Sequence, residues 1–212
     1  MTLNMRIARV RDTGGDKDLK DVLGLYEDAR SRLRTMGTDQ WAKPWPDEKA
    51  RTERLRRAVQ RGRTWIVWDG EIPAATVTIA TKRNTDVWSK STCECDLSER
   101  AVFVHRLITA GGYTGLGLGA ELIDWAGLRG RRDYGAKWIR IDVWTTNTAL
   151  HDYYLDKGFE RCGDAADPKY PSGALFQKPV AAIDEASLSI PQFPGSCAEF
   201  VLESSRVSVG AR

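Results

Sequence analysis

The chain has 212 residues, enough for one full domain with an appendage and too few for two complete domains. Hydrophobic types make up 42% and charged types 29%, a balance that closes a core and excludes a disordered, collagen-like or low-complexity chain. Lysine and arginine number 32 against 29 acidic residues, and a net charge of +3 calls for neither a nucleic-acid partner nor a membrane surface.

Residues 6–10 alternate and predict an opening strand. After the turn signal Asp12-Thr13-Gly14-Gly15, the residues Leu19, Val22, Leu23, Tyr26, Ala29, Arg30 and Leu33 recur at three- and four-residue steps, which predicts a helix over 16–36 ended by Gly37. The loop 38–46 carries Trp41 and Trp45, and Pro46-Asp47-Glu48 reads as the acidic first turn of a second helix reaching Gly62. Lys49, Arg51, Arg54, Arg56, Arg57, Arg61 and Arg63 crowd this region. They read either as a phosphate-binding stripe or, the favoured alternative, as a solvated face opposite Ala50, Leu55, Ala58 and Val59.

Residues 64–68, the turn Asp69-Gly70 and residues 74–80 predict a hairpin. A polar stretch, 81–100, precedes a strand at 101–109, and residues 111–119 are rich in glycine. A helix over 120–130 buries Leu122, Ile123, Trp125, Ala126 and Leu128; a strand at 137–144 and a short helix at 150–157, closed by Gly158, follow. Residues 174–178 predict a last strand before Pro179. There is no internal repeat, and the element order makes an α/β (α+β) domain over 1–180 with a C-terminal extension over 181–212. In that extension Ile183, Leu188, Ile190, Phe200 and Val201 need cover between Pro191, Pro194 and Gly195, so it is expected to pack on the domain or on a second copy.

No apolar run reaches the ~18 residues that span a bilayer, and the first residues lack the apolar core of a secretory signal, so a cytoplasmic location is expected. Cys93, Cys95, Cys162 and Cys197 include a C-x-C but no C-x-x-C, and only two histidines could assist them. Reduced structural thiols are expected, and no metal.

Gly115-Leu116-Gly117-Leu118-Gly119-Ala120 lies between a strand and a helix, where free backbone amides face a loop with few side chains in the way. A phosphate or pyrophosphate fits such a turn, although a tight strand-to-helix turn also selects glycine. The Gly-Lys-Ser/Thr of a P-loop is missing. A dinucleotide-binding fingerprint is formally present as Gly115-x-Gly117-x-x-Ala120 with Asp142 as the ribose acid, which would make an oxidoreductase. Against it, Asp142 sits inside its strand, about five residues separate the preceding strand from Gly115, and too little chain follows for a doubly wound sheet.

A third reading takes in more residues. The strand Val104-His105-Arg106-Leu107-Ile108-Thr109, the loop Thr114-x-x-Gly117-x-Gly119-Ala120 and the helix with Leu122 and Ile123 come in one order with Ile139-Arg140-Ile141-Asp142-Val143-Trp144, Asn147, Leu150, Tyr154 and Gly158-Phe159. This series resembles the GNAT superfamily of acyl-CoA-dependent N-acyltransferases, particularly its actinobacterial version, whose members carry Gln/Arg-x-x-Gly-x-Gly/Ala in the loop, then an Asn, and a Tyr ahead of Gly-Phe. With the N-terminal elements the resemblance extends over residues 6–180. It implies a central mixed, mostly antiparallel, splayed sheet flanked by helices, and acetyl-CoA as cosubstrate.

The resemblance also assigns roles. Thr114, Gly115, Leu116, Gly117, Leu118, Gly119 and Ala120 would cradle the pyrophosphate, mainly through backbone amides, so Thr114 in the Gln/Arg position is expected to be tolerated. Leu107 and Thr109 would pair with the pantetheine arm, an amide near Ile108 would polarise the thioester carbonyl, and Asn147 would lie along the arm's other side. Tyr154 matches the general acid; a core tyrosine is the alternative, and its neighbour Tyr153 is assigned no chemistry. Phe103 holds the position where some members place a catalytic glutamate, so the base is sought two residues along the same strand face at His105, a side chain type that titrates near neutrality, with Asp142 and Glu99 as weaker candidates. A histidine hydrogen-bonded within the sheet is the alternative.

Asp39, Trp41, Trp45, Asp142 and Trp144 are candidates for the acceptor pocket, aromatic faces and a carboxylate being suited to a cationic amine, though such aromatics also plug cores. The expected function is transfer of an acetyl group from acetyl-CoA to a small-molecule primary amine by direct attack in a ternary complex, as a monomer or homodimer. The rival is a non-catalytic acyl-CoA-binding module.

Overall fold

The computed structural model describes residues 2–10, 17–91, 93, 95–192 and 195–203. The turn signal at 12–15, Pro194 and the last nine residues lie outside that description. In chain order the elements are β1 (Thr2–Arg9), α1 (Lys17–Thr35), α2 (Glu48–Gln60), β2 (Thr64–Asp69), β3 (Ile72–Ala80), β4 (Ala101–Thr109), α3 (Leu118–Tyr134), β5 (Trp138–Val143), α4 (Thr148–Asp156), β6 (Glu160–Asp164), β7 (Ala174–Pro179) and β8 (Cys197–Glu203). Among the described residues eight strands form one sheet in the order β6-β7-β5-β4-β3-β2-β1-β8. Every neighbouring pair is antiparallel except β4 with β5. A dinucleotide-binding fold needs a mostly parallel sheet, so that reading ends here.

Strand alternation sends side chains to two separately covered faces. On one, Val102, Val104, Ile139, Ile141 and Val143 join Leu122, Ile123, Trp125 and Ala126 of α3 in the largest core cluster. Helix α3 sits close to the sheet because two of its residues lack a Cβ. A Cβ on Gly127 would fall 2.4 Å from Ile139 Cδ1, and one on Gly130 2.3 Å from Val102 Cγ1. On the opposite face Val22 of α1 and Leu55 and Val59 of α2 cover Ala8, Ile66 and Trp68, while Phe103 and Leu175 pack under Val87 and Trp88 of the segment 81–100.

The basic region of α2 divides. Arg51 turns inward, its guanidinium 4.4 Å from the Tyr26 ring and paired with Glu27 and Glu48, whereas Arg56 and Arg57 pair with Glu53 at the surface. This pairing matches a solvated face with one inward anchor.

The segment after β7 packs on the domain. Ile183, Ile190, Phe200 and Leu202 are buried in the main core, Ser189 donates to Glu121 through both N (2.8 Å) and Oγ (3.0 Å), and β8 pairs with β1 along Thr2 to Ala8. The cysteines differ from the sequence expectation: Cys93 and Cys95 are joined in a disulfide, so these two are not reduced thiols, while Cys162 is buried and Cys197 exposed.

Candidate active site

The site begins where two parallel strands part. Ala101, Val102 and Phe103 of β4 pair with Trp138, Ile139 and Arg140 of β5, and beyond them the ladder stops. From Val104 onward no strand among the described residues pairs with the edge of β4 that faces β5; Thr109 O there accepts from Arg32, and the other backbone groups of that edge must find another partner. The splaying has a local cause. The register of β4 against β3 shifts between Thr76 and Thr78, and Arg106, in the extra length of β4, adopts φ 49°. An inserted residue of this kind bends its strand and sharpens the twist.

His105 and Asp142 would be the next cross-strand pair on the α1/α2 face. Instead of backbone bonds they share a side-chain contact, His105 Nδ1 lying 3.4 Å from Asp142 Oδ1, while Tyr170 donates to Asp142 Oδ2 at 2.6 Å. Burial is the foremost influence on the Asp142 carboxyl and raises it, but the His105 charge and the hydrogen bonds from His105 and Tyr170 hold it below the usual carboxylate range. Burial and the Asp142 charge push the Tyr170 phenol upward, keeping it a donor. Glu99, the other carboxylate considered as base, sits at the far end of the strand pair, held by Lys137 Nζ (2.7 Å) and Trp138 Nε1 (2.6 Å). Its ties are structural.

At the other end of β4 the chain turns through a short 3₁₀ segment, Gly111–Tyr113, into the glycine loop. Gly115 and Gly117 adopt φ 83° and 80°, a region costly for residues with a Cβ, and open space lies above both. Gly117 is the N-cap of α3 and offers no side chain to the first-turn amides, so those donors face an exposed loop. Helix α1 anchors this turn. Asp28 accepts from Gly111 N at 3.0 Å, and Arg32 donates to Thr109 O (2.5 Å) and to Thr114 Oγ1 (3.5 Å). A guanidinium thus stands at the loop position where the chain's own residue is Thr114.

The two adjacent tyrosines of α4 point to different places. Tyr154 is 8% exposed and packs edge-on against Tyr153 and Phe159, both at 5.4 Å. Burial, then the neighbouring Tyr153 and Asp142, push its phenol well above the ordinary tyrosine value, and its hydroxyl has no hydrogen-bonding partner among the described residues. Tyr153 is half-buried, and its hydroxyl and Thr109 Oγ1 converge on Gly119, at 3.6 and 3.5 Å from where a Cβ would stand. Tyr153 therefore faces the phosphate-type turn, and Tyr154 the interior beside the split.

The residues named for the acceptor side are brought together, but largely with one another. Asp39 accepts from Trp144 Nε1 (2.9 Å) and Thr146 Oγ1 (2.5 Å), bonds that hold its carboxyl below the usual range. Asn147 donates to Gln40 Oε1 at 2.6 Å and accepts from Leu150 N at 3.1 Å as the N-cap of α4. The α1–α2 loop is thereby tied to the β5–α4 loop as a strap beside the split. Trp41 stacks on Tyr26 at 4.6 Å, and Trp45 meets Tyr170 edge-on at 5.2 Å. Arg106 is the cation beside this wall; burial, then the Arg54 charge, lower its pKa, while Asp142 and Tyr170 oppose them.

Sequence reasoning missed Tyr170, Arg32, Gln40 and Thr146. Only Arg32 left a trace there, being four residues after Asp28 on one helix face, with which it pairs at 3.1 Å.

A mostly antiparallel sheet split between two parallel strands, with an open glycine turn at the head of the following helix, defines an acyltransferase. Residues 30–159 match the Acetyltransferase (GNAT) family, and the chain belongs to that family. It is 25% identical over 166 residues to the uncharacterized N-acetyltransferase YesJ of Bacillus subtilis (strain 168), covering 78% of this chain and 87% of that protein. In fold it is similar to GNAT family acetyltransferases of Streptococcus agalactiae 2603 (TM-score 0.61, 19% identity, 82% of this chain and 95% of that one) and Listeria monocytogenes 4b F2365 (0.59, 19%, 82% and 93%). The PaiA N-acetyltransferase of Thermoplasma acidophilum, solved in complex with coenzyme A, aligns at TM-score 0.56 with 14% identity over 82% of this chain and 98% of its own. No helix among the described residues is long and apolar enough to cross a membrane.

Proposed function

We propose that this protein transfers an acetyl group from acetyl-CoA to a primary amine of a small molecule by direct attack in a ternary complex. The observation that carries the reading is the unpaired edge of β4, which runs from the His105–Asp142 pair to the glycine turn. An extended pantetheine arm supplies the missing strand there, pairing with Leu107 and Thr109, while the amides of Gly115 to Ala120 take the pyrophosphate, helped by the α3 dipole. Arg32 adds a charge beside Thr114.

In the reaction the amine nitrogen forms a bond to the thioester carbon and the carbonyl oxygen becomes an oxyanion, which the amide near Ile108 stabilises. His105 takes the amine proton, directly or through one water, with Asp142 orienting its ring and Tyr170 fixing Asp142. The C–S bond then breaks and Tyr154 gives its proton to the thiolate. A phenol pushed upward by burial stays protonated at neutral pH.

The test is thiol release from acetyl-CoA over a panel of amines, with acetyl-CoA affinity measured alongside. Thiol release with at least one small primary amine supports the reading. Acetyl-CoA binding with no turnover on any amine would identify an acyl-CoA-binding module instead.

A further inference from the structure

We propose that Cys93, Cys95 and Cys162, once reduced, form a trithiolate site for a divalent d¹⁰ ion such as zinc, with the buried Arg140 guanidinium balancing its charge. The three sulfur atoms lie within 4.8 Å of one another, Cys93 and Cys162 buried and Cys95 partly so. Their scaffold is preformed. An isolated bridge pairs Cys93 with Gly163, next to Cys162 on β6, and the register of β6 shifts between Arg161 and Gly163 to place that turn. Around a tetrahedral zinc with Zn–S bonds of about 2.3 Å, sulfur atoms stand about 3.8 Å apart, so opening the disulfide and drawing the third sulfur in reaches the required spacing.

Arg140 is the second, independent observation. It is 1% exposed, and its hydrogen bonds go to Gln177 Oε1 (3.2 Å) and Asp96 O (2.7 Å), both neutral. No carboxylate among the described residues pairs with it, and an isolated buried cation is costly. Burial, the main influence, lowers the pKa of this guanidinium; Cys162 acts most strongly in the opposite sense, Arg83 adds to the lowering, and Asp96 and Glu99 oppose it more weakly. Beside a disulfide, Arg140 has only Cys162, when ionised, and the charges of Asp96 and Glu99, which do not pair with it, to act against its burial. Three thiolates around a divalent ion carry a net charge of −1, which offsets that of the guanidinium. Cys95, the most accessible of the three, leaves the fourth position open to a water, and Trp88, Phe103 and Leu175 wall off the rest.

The chemistry balances in two steps. A dithiol or phosphine reductant delivers two electrons to the Cys93–Cys95 disulfide, two protons convert the sulfurs to thiols, and the reductant leaves as its own disulfide or, with oxygen from water, as the phosphine oxide. Three thiol protons then pass to the buffer as the ion enters.

The experiment uses the full chain in a Cys197→Ser background, reduced by a phosphine, freed of it under argon and titrated with cobalt(II). The expected result is one cobalt per chain, a thiolate-to-cobalt charge-transfer band that zinc displaces, and no band from the oxidised chain. Cys162→Ser and Cys95→Ser should each weaken binding beyond the ~100-fold upper end for outer partners, and Arg140→Gln by about tenfold. No band from the reduced chain, or equal affinity with Cys162 replaced, overturns the proposal. If Cys162→Ser fails to fold by circular dichroism, the oxidised-versus-reduced comparison of the same background and the Cys95→Ser variant decide it. The readout involves neither acetyl-CoA nor turnover.

Discussion

The two sides of the β4–β5 split are built from different materials. The side next to α3 is almost all backbone: an unpaired strand edge, two glycines at positive φ and the bare amides of a helix start. The side under the α1–α2 loop is a mesh of side chains from distant segments: Asp39 on Trp144 and Thr146, Gln40 on Asn147, and His105 with Asp142 and Tyr170. A backbone device serves any ligand that carries the same diphosphate and amide arm, so it can be shared across a family. A side-chain mesh depends on particular residues at particular positions, so it can discriminate among what fits opposite.

The largest effect is expected on the backbone side. Gly119→Glu places a carboxylate at the head of α3, against Thr109 Oγ1 and the Tyr153 hydroxyl, where the proposed pyrophosphate would sit. Acetyl-CoA binding should become undetectable by calorimetry while the circular dichroism spectrum is unchanged. Retained affinity would move the pyrophosphate elsewhere and dissolve the contrast between the two sides.

Next comes Tyr154, the proposed acid. Tyr154→Phe removes one hydroxyl from a packed aromatic cluster, so fold and acetyl-CoA affinity should persist while kcat falls by ~10²-fold or more. Tyr153→Phe, whose hydroxyl faces the glycine turn, should alter acetyl-CoA affinity more than kcat. If the two variants exchange these phenotypes, Tyr153 is the acid and Tyr154 a packing residue. Adjacent residues on a helix point about 100° apart, and sequence spacing alone selected Tyr154.

That pair marks what was legible in the sequence. The glycine turn, both strands of the split and Gly158 at the end of α4 could be read because each is a local pattern, whereas the mostly antiparallel order came only with the family resemblance and the Asn147 cap of α4 was not read. Charged β6, with the sequence Glu-Arg-Cys-Gly-Asp, shows no alternation and is a strand only because β7 offers it an edge. The segment at β8 was read as apolar residues needing cover, and its pairing with β1 spans almost the whole chain. Tyr170 lies in a stretch without helix or strand period, so nothing local connects it to Asp142 28 residues earlier. The disulfide was missed because a C-x-C spacing is silent about redox state.

A pH profile separates the members of the dyad. The Asp142 carboxyl is depressed in the folded chain, so its contribution to stability is complete above the unfolded value of ~3.9 and is lost only as pH falls through the lower folded value. Asp142 is therefore ionised from pH 5 upward, and an acid limb of kcat/KM above that pH is not the titration of Asp142. His105→Gln should flatten that limb and cost about 10²-fold. Asp142→Asn should keep a limb but lower the plateau by about tenfold, as expected of a residue that orients the base. A limb surviving unchanged in His105→Gln would assign the base elsewhere.

The smallest effect is expected from the strap, and it tests whether the side-chain mesh selects the acceptor or only braces the fold. Asp39→Ala removes the acceptor for both Trp144 Nε1 and Thr146 Oγ1 while leaving the Gln40–Asn147 bond and the cap of α4. Asp39 is exposed, so water replaces the lost bonds and stability should change little. Its carboxyl too is depressed, by the Thr146 bond first and the Trp144 bond second, so the strap stays charged and closed from pH 5 upward and adds no pH dependence of its own there. Loosening it should raise the acceptor KM a few-fold, with acetyl-CoA affinity and kcat near those of the parent, because the two bonds removed lie on the proposed acceptor side and those of Asn147 are left in place. An equal loss of acetyl-CoA affinity would mean the strap shapes the whole split, and that the two sides act as one.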